Sequence, residues 1–229
     1  MLGLEIITDD DKMRRIREAL TELGYASVQA HWAFARTIEW RGSPQEIRIE
    51  LMAADVTGAD AERVHRGTAL RIRSDGYDQL HARRNPAAIT VEQLPTPFSL
   101  GDGAEGPSVF VPHPASFLLM KLFAFRDRHL SDKPEDRERA PYHAFDIFML
   151  LSTLNRQEWE ESLGILHDER VVDVVRQARE IVAEFFVAEN EGGVLAMAVY
   201  ARDREGITLT RDQRVEFVRD LRDLIGSGC

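Results

Sequence analysis

The chain has 229 residues, room for one large domain or two small ones, and its 44% apolar and 30% charged residues are the balance of an ordinary globular protein. A formal net charge of −10 argues against nonspecific nucleic-acid binding by the whole surface and leaves that role to a local basic patch. The single cysteine, Cys229, is the last residue, so no disulfide can close within one chain, which suits a reducing compartment. No apolar run approaches the roughly 20 residues of a membrane span. The opening MLGLEIITDDDK has neither a basic n-region nor a long apolar stretch. The expected location is cytoplasmic, with no membrane partner.

Leu2–Ile7 has the pattern of a strand. Thr8 and the acidic run Asp9–Asp11 then supply an N-cap and dipole-friendly charge for a helix. That helix carries Met13, Ile16, Leu20 and Leu23 on one face, and Gly24 is placed to stop it. Val28–Trp40 is predicted as one strand, and Arg41-Gly42-Ser43-Pro44 as a turn. Glu46–Met52 alternates strictly, Ile47, Ile49 and Leu51 on one face and Glu46, Arg48 and Glu50 on the other, so the two strands make a hairpin.

Thr57–Arg66 has no clear period and is taken as a short helix. Ala69–Arg73 and Ala88–Leu94 are predicted strands separated by Tyr77–Pro86. The Pro- and Gly-rich Pro95–Pro107 is a loop, and Val109–Val111 a last short strand. From there on helices are expected at Ala115–Arg128, Tyr142–Leu154, Gln157–His167, Arg170–Glu189 and Arg211–Ile225. The charged segment Leu130–Pro141 is expected to be mobile. A small mixed sheet followed by a helical half is the α+β class. The expected regions are 1–111 for the sheet and 112–229 for the helices, packed as one unit.

Two isolated charges mark the helical half. Lys121 stands among Phe117, Leu118, Leu119, Met120, Leu122, Phe123 and Phe125, and Asp146 among Phe145, Ile147, Phe148, Met149 and Leu150. Burying an unpaired charge costs several kcal/mol, so each implies a partner or a ligand.

With the strand-helix-strand-strand opening, VPHPASFLLMKLFAFRDR and YHAFDIFMLL, the chain resembles the AbiEii-like nucleotidyltransferases from Leu2 to about Leu154. The resemblance implies a mixed sheet bearing metal-binding carboxylates and a helical C-terminal half. It also implies transfer of a nucleotide from a nucleoside triphosphate, for instance onto RNA, and an antitoxin protein as partner. Lys121-Leu122-Phe123-Ala124 matches the family's Lys-x-x-Ala, where the lysine faces the triphosphate. Asp146 matches the second aspartate of Lys-Asp-x-x-Asp-Leu, while Tyr142 and His143 occupy that motif's first two positions. Glu50 matches the place of the third carboxylate of an Mg²⁺ site. The family's Gly-Ser start and Asp-x-Asp pair would fall at or before Leu2–Glu5, where LGLE offers one acid, Glu5. The expectation is therefore a nucleotidyltransferase-type protein truncated or degenerate at its metal site. Two-metal phosphoryl transfer needs two or three converging carboxylates.

Each of these residues also has a plainer reading. Lys121 either meets phosphate or pairs with Asp146 and ties two helices together, while Glu50 and Glu5 also fit solvated surface. Arg126 and Arg128 either steer polyanions or serve as helix-end cations. Arg63, Arg66, Arg71, Arg73, Arg83 and Arg84 form a basic middle section that suits RNA phosphates or ordinary surface. His143 and Asp146, at i,i+3, suit a transition metal or internal hydrogen bonding. The alternative function is a non-catalytic interaction scaffold of the same fold. In it the apolar face of Arg170–Glu189 serves either the core or a homodimer.

Overall fold

The structure, a computed structural model, describes residues 10–29, 33–54, 64–65, 69–72, 81–99 and 108–226. The predicted strand Leu2–Ile7 with Glu5, the cap at Thr8, and Arg63, Arg66 and Arg73 lie outside the described residues. The class is α+β, and the chain divides into two compact units, 1–92 and 93–229. Among the described residues no helix is long and apolar enough to cross a membrane.

In the first unit, helix α1 (Asp10–Glu22) ends where expected. Gly24 takes φ 81°, a left-handed turn that a Cβ would disfavour, and its N–H reaches the Thr21 carbonyl at 2.9 Å. The predicted strand Val28–Trp40 is two strands instead, β1 (Ala26–Gln29) and β2 (Ala33–Trp40), which pair antiparallel with Gln29 opposite Ala33.

Strand β3 (Ser43–Glu50) completes a sheet of order β1-β2-β3. The turn is shorter than Arg41–Pro44. Arg41 and Gly42 alone, at φ 53° and 77°, make the tight connection whose twist suits a hairpin. Ser43 and Pro44 already pair with Trp40 and Glu39. Pro44 is tolerated because β3 is an edge strand and needs no donor on its open side.

A second, mixed sheet has the order β4 (Met52–Ala53), β7 (His81–Arg84), β6 (Ala69–Ile72), β5 (Val64–His65). Its one parallel pair joins β4 to β7, through Arg83 N–H to Leu51 C=O at 2.7 Å and Asn85 N–H to Ala53 C=O at 2.9 Å. Strand β5 falls inside the predicted helix Thr57–Arg66, and β7 inside the predicted connection Tyr77–Pro86.

Ala88–Leu94 is not a strand. Residues Ala88–Gln93 form helix α2, with Ala88, Thr90 and Val91 buried. The carboxamide of Asn85 accepts from Ala87 N–H at 3.0 Å, and Pro86 follows it, so the start signal is Asn-Pro. The β-branched residues Ile89, Thr90 and Val91 point the other way in propensity, and the start signal overrides them.

The second unit opens with a hairpin of β8 (Thr96–Ser99) and β9 (Ser108–Val111). Strand β8 lies within the predicted loop Pro95–Pro107. The helices follow: α3 (Pro114–His129), α4 (Pro134–Arg137), α5 (Ala140–Thr153), α6 (Arg156–Leu166), a 3₁₀ turn (Glu169–Val171), α7 (Val172–Phe185), α8 (Gly192–Arg204) and α9 (Arg211–Gly226). Asn155 starts α6 with a reciprocal cap, its side chain accepting from Glu158 N–H and the Glu158 carboxylate accepting from Asn155 N–H.

Helix α5 lies at the centre, packed on α3 and α8, while α7 packs on α3 and α9. Leu118, Leu122, Phe123, Phe125, Ile147, Ile181, Phe186, Met197 and Leu221 are fully buried between them. The apolar face of α7, with Val174, Val175, Ala178, Ile181, Val182 and Phe185, is buried in this core. Of its two expected uses the core is the one observed.

Helix α8 is absent from the sequence-based elements, since two leading glycines hide it. One of them is required. A Cβ on Gly193 would stand 2.6 Å from the Phe186 ring and 2.7 Å from the Phe185 carbonyl oxygen. Leu130–Pro141 is also not a free loop. It holds α4, and the Arg128 guanidinium is ion-paired with Asp136. Ser131 donates its hydroxyl to Asp136 at 3.1 Å, and Arg137 reaches the Ser131 carbonyl at 2.8 Å.

Candidate functional site

Helix α3 begins at His113-Pro114. The His113 ring accepts from Ala115 N–H at 3.2 Å and Pro114 enters the first turn, so the helix starts at a fixed place. The other ring nitrogen of His113 lies 3.5 Å from a Glu161 carboxylate oxygen. A hydrogen bond from Gln157 first, and then the nearby His113 ring, hold the Glu161 carboxyl below its ordinary range. From that start, Phe117 and Lys121 fall one turn apart on the face turned toward α5. On α5, Tyr142 and Asp146 repeat the same spacing.

These four side chains meet. Lys121 Nζ stands 2.5 Å from Asp146 Oδ2, with the two side chains 17% and 19% exposed. The ammonium also lies 4.8 Å from the centre of the Phe117 ring and 5.2 Å from that of Tyr142. Both distances are within reach of a cation–π attraction. Tyr142 is half exposed and touches Tyr200 of α8 edge to face at 5.8 Å. Its phenol is raised above its ordinary 10, first by the negative charge of Asp146, then by burial and by Tyr200.

The result is one ammonium at the rim of an apolar helix pair, neutralised by one carboxylate and flanked by rings. An anion can reach this ammonium only by replacing Asp146 as the lysine's partner. Tyr142 adds a hydroxyl donor that stays protonated through the neutral range.

The other predicted residues are distributed differently. Arg128, two turns beyond Lys121 on α3, is the partner of Asp136 described above. Arg126 pairs with its neighbour Asp127 at 3.1 Å and lies over the Phe123 ring at 4.9 Å. Glu50 is the last residue of β3, in the first unit. Its carboxylate is 3.2 Å from the Arg48 guanidinium on the same strand face. Glu5 is outside the described residues.

Among the described residues no three His, Cys, Asp or Glu side chains are grouped to hold a metal. The two carboxylates assigned to catalysis, Glu50 and Asp146, each already face a cation. Tyr200 is the residue of this site that the sequence reading missed. The run Val194–Tyr200, apolar and free of charges, was the signal for the helix that carries it.

No family model, no curated protein and no solved structure matches this chain.

Proposed function

We propose that this chain is a nucleotide-binding protein of the AbiEii-like nucleotidyltransferase type, with Lys121 as its phosphate contact. One observation carries the reading: an ammonium in an apolar helix is kept at the rim of the unit by a single exchangeable carboxylate, Asp146 at 2.5 Å. The Lys-x-x-Ala run Lys121–Ala124 supports it. A triphosphate entering at Lys121 displaces Asp146, and Arg128 further along α3 extends the cationic path by releasing Asp136 in the same way. Arg126 stands on the flank. The reading includes Mg²⁺ as the triphosphate's counter-ion, RNA as acceptor, an antitoxin protein as partner, and a cytoplasmic location.

Transfer by this chain is weak or absent on this reading, because Glu50 is engaged by Arg48 and phosphoryl transfer needs convergent carboxylates. The test is thermal stabilisation of the chain by each nucleoside triphosphate, with and without Mg²⁺. A ligand at 100 times its dissociation constant adds about 2.7 kcal/mol. The shift is expected to vanish in Lys121→Ala, with each protein compared to its own unliganded midpoint. No shift with any triphosphate sinks the reading.

A second reading, a non-catalytic interaction scaffold, is favoured by the closure of the Lys121–Asp146 pair itself. There the pair serves only as a tie between α3 and α5. A homodimer stable at high salt and indifferent to nucleotide is its expected signature, measured by light scattering.

A further inference from the structure

At the start of the helix that carries Lys121 lies a buried titratable ring, His113, only 8% exposed. Its Nδ1 accepts from Ala115 N–H at 3.2 Å, so the neutral ring carries its one proton on Nε2. Nε2 stands 3.5 Å from a Glu161 carboxylate oxygen of α6 and has no hydrogen-bond partner among the described residues. The two ring nitrogens thus serve different elements, Nδ1 the first turn of α3 and Nε2 the contact with α6.

One proton changes both contacts. On the imidazolium Nδ1 also carries hydrogen and can no longer accept, so Ala115 N–H loses its partner. Ala115 is itself buried, and an orphaned buried donor is costly unless the first turn shifts to bring it to water. In the same step Nε2–H becomes a charged donor facing a carboxylate, a stronger bond than the neutral ring makes. The other charges around α3 are engaged elsewhere. Asp146 of α5 is on Lys121, Asp136 of α4 on Arg128, and Asp173 and Glu180 of α7 on Arg176. On α6 itself Glu158 caps the helix at Asn155 and Glu160 is on Arg156. Glu161 is the carboxylate that faces the ring.

We propose that His113 is a protonation switch at the start of α3. The neutral ring caps the helix. The imidazolium releases Ala115, opens the first turn and takes Glu161 instead. The cap's stabilisation is therefore present while the ring is neutral and is lost as pH falls through the ring's titration. Phe117 closes that first turn and lies 4.8 Å from the Lys121 ammonium, so the opening reaches the Lys121–Asp146 pair. The switch is independent of what Lys121 binds.

The full chain is followed by NMR from about pH 8 to about pH 5, across the ordinary imidazole range. Ring-nitrogen shifts at the upper end are expected to place the His113 proton on Nε2. As the ring titrates, hydrogen exchange at the Ala115 amide, corrected for its intrinsic pH dependence, is expected to quicken about tenfold or more. The Phe117 amide is expected to shift in step, while amides at the centre of α5 keep their protection. His113→Asn retains a capping oxygen and does not titrate. In that variant Ala115 is expected to stay protected throughout, and the Glu161 carboxyl to titrate higher than in the parent. A proton on Nδ1 at the upper end, or Ala115 protection indifferent to the ring's titration, would overturn the proposal. Both are read on the unaltered protein, which decides the matter should the variant fail to fold. The same acid release in His113→Asn, or a Glu161 titration identical in the two proteins, would overturn it as well.

Discussion

Lys121 Nζ and Asp146 Oδ2 stand 2.5 Å apart across α3 and α5, and each side chain keeps less than a fifth of its surface in solvent. Removing one partner leaves the other as a charge with little water and no counter-charge, and that costs more than losing the attraction. Lys121→Met is expected to destabilise the protein by about 2–3 kcal/mol, toward the low end for buried pairs because some hydration remains. Adding Asp146→Leu to it is expected to restore stability to within about 1 kcal/mol of the parent. Urea unfolding of the two single variants and the double variant measures this. Simple addition of the two single losses would show that the pair is not coupled.

The same carboxylate acts on Tyr142. Its phenol is raised above 10, with Asp146 the largest cause. For an acid whose folded value is raised, the folded state holds the proton longer. The associated stability is present below the unfolded value and is lost as pH rises through the folded one. Ring-carbon NMR is expected to show Tyr142 ionising above 10, with the midpoint falling in Asp146→Asn. Tyr200→Phe is expected to lower it less. An unchanged midpoint in Asp146→Asn would mean that Asp146 is not the cause.

Gly193 and Phe186 set how closely α8 approaches the end of α7. A methyl group at residue 193 would fall 2.6 Å from the ring and 2.7 Å from the Phe185 carbonyl, and Phe186 is itself fully buried with no room to retreat. Gly193→Ala is expected to cost about 1–3 kcal/mol through overpacking. Its neighbour is the control: nothing lies within 4 Å of a Cβ at Gly192. Gly192→Ala is expected to be neutral or to stabilise by about 0.4–1 kcal/mol, through a less flexible unfolded chain. Thermal melts of the two variants side by side read both effects.

What the sequence made legible was whatever stood out against a uniform background. A lone Lys121 and a lone Asp146 in apolar helices each demanded a partner, and the structure makes them partners of each other. The α+β division, the β2–β3 hairpin and the long helices followed from periodicity. Periodicity failed where a local signal competed with it. Asn85-Pro86 starts a helix that Ile89, Thr90 and Val91 disguise as a strand, and Gly192-Gly193 disguises α8 as a loop. At Glu50 the alternation had already placed Arg48 on the same face two residues away. The ion pair that now occupies Glu50 was therefore available from the sequence and went unread.

The clamp on Leu130–Pro141 was not available in that way, because it depends on where α4 returns against α3. Arg128 is paired with Asp136, and their side chains are 12% and 21% exposed, so solvent screens the pair less than it would a surface bridge. Asp136 also takes the Ser131 hydroxyl, and Pro134 fixes the first turn of α4, so one carboxylate ties α4 to the start of the segment and to the end of α3. Asp136→Ala is expected to speed amide hydrogen exchange about tenfold across residues 131–138, the equivalent of roughly 1.4 kcal/mol of local stability. The helix cores of α3 and α5 are expected to keep their protection. Exchange measured by mass spectrometry on the two proteins distinguishes this from global loosening, in which α5 would exchange faster as well. Unchanged exchange throughout would mean that the segment is ordered by its backbone bonds, such as Glu138 N–H to the Pro134 carbonyl at 3.0 Å, and not by the ion pair.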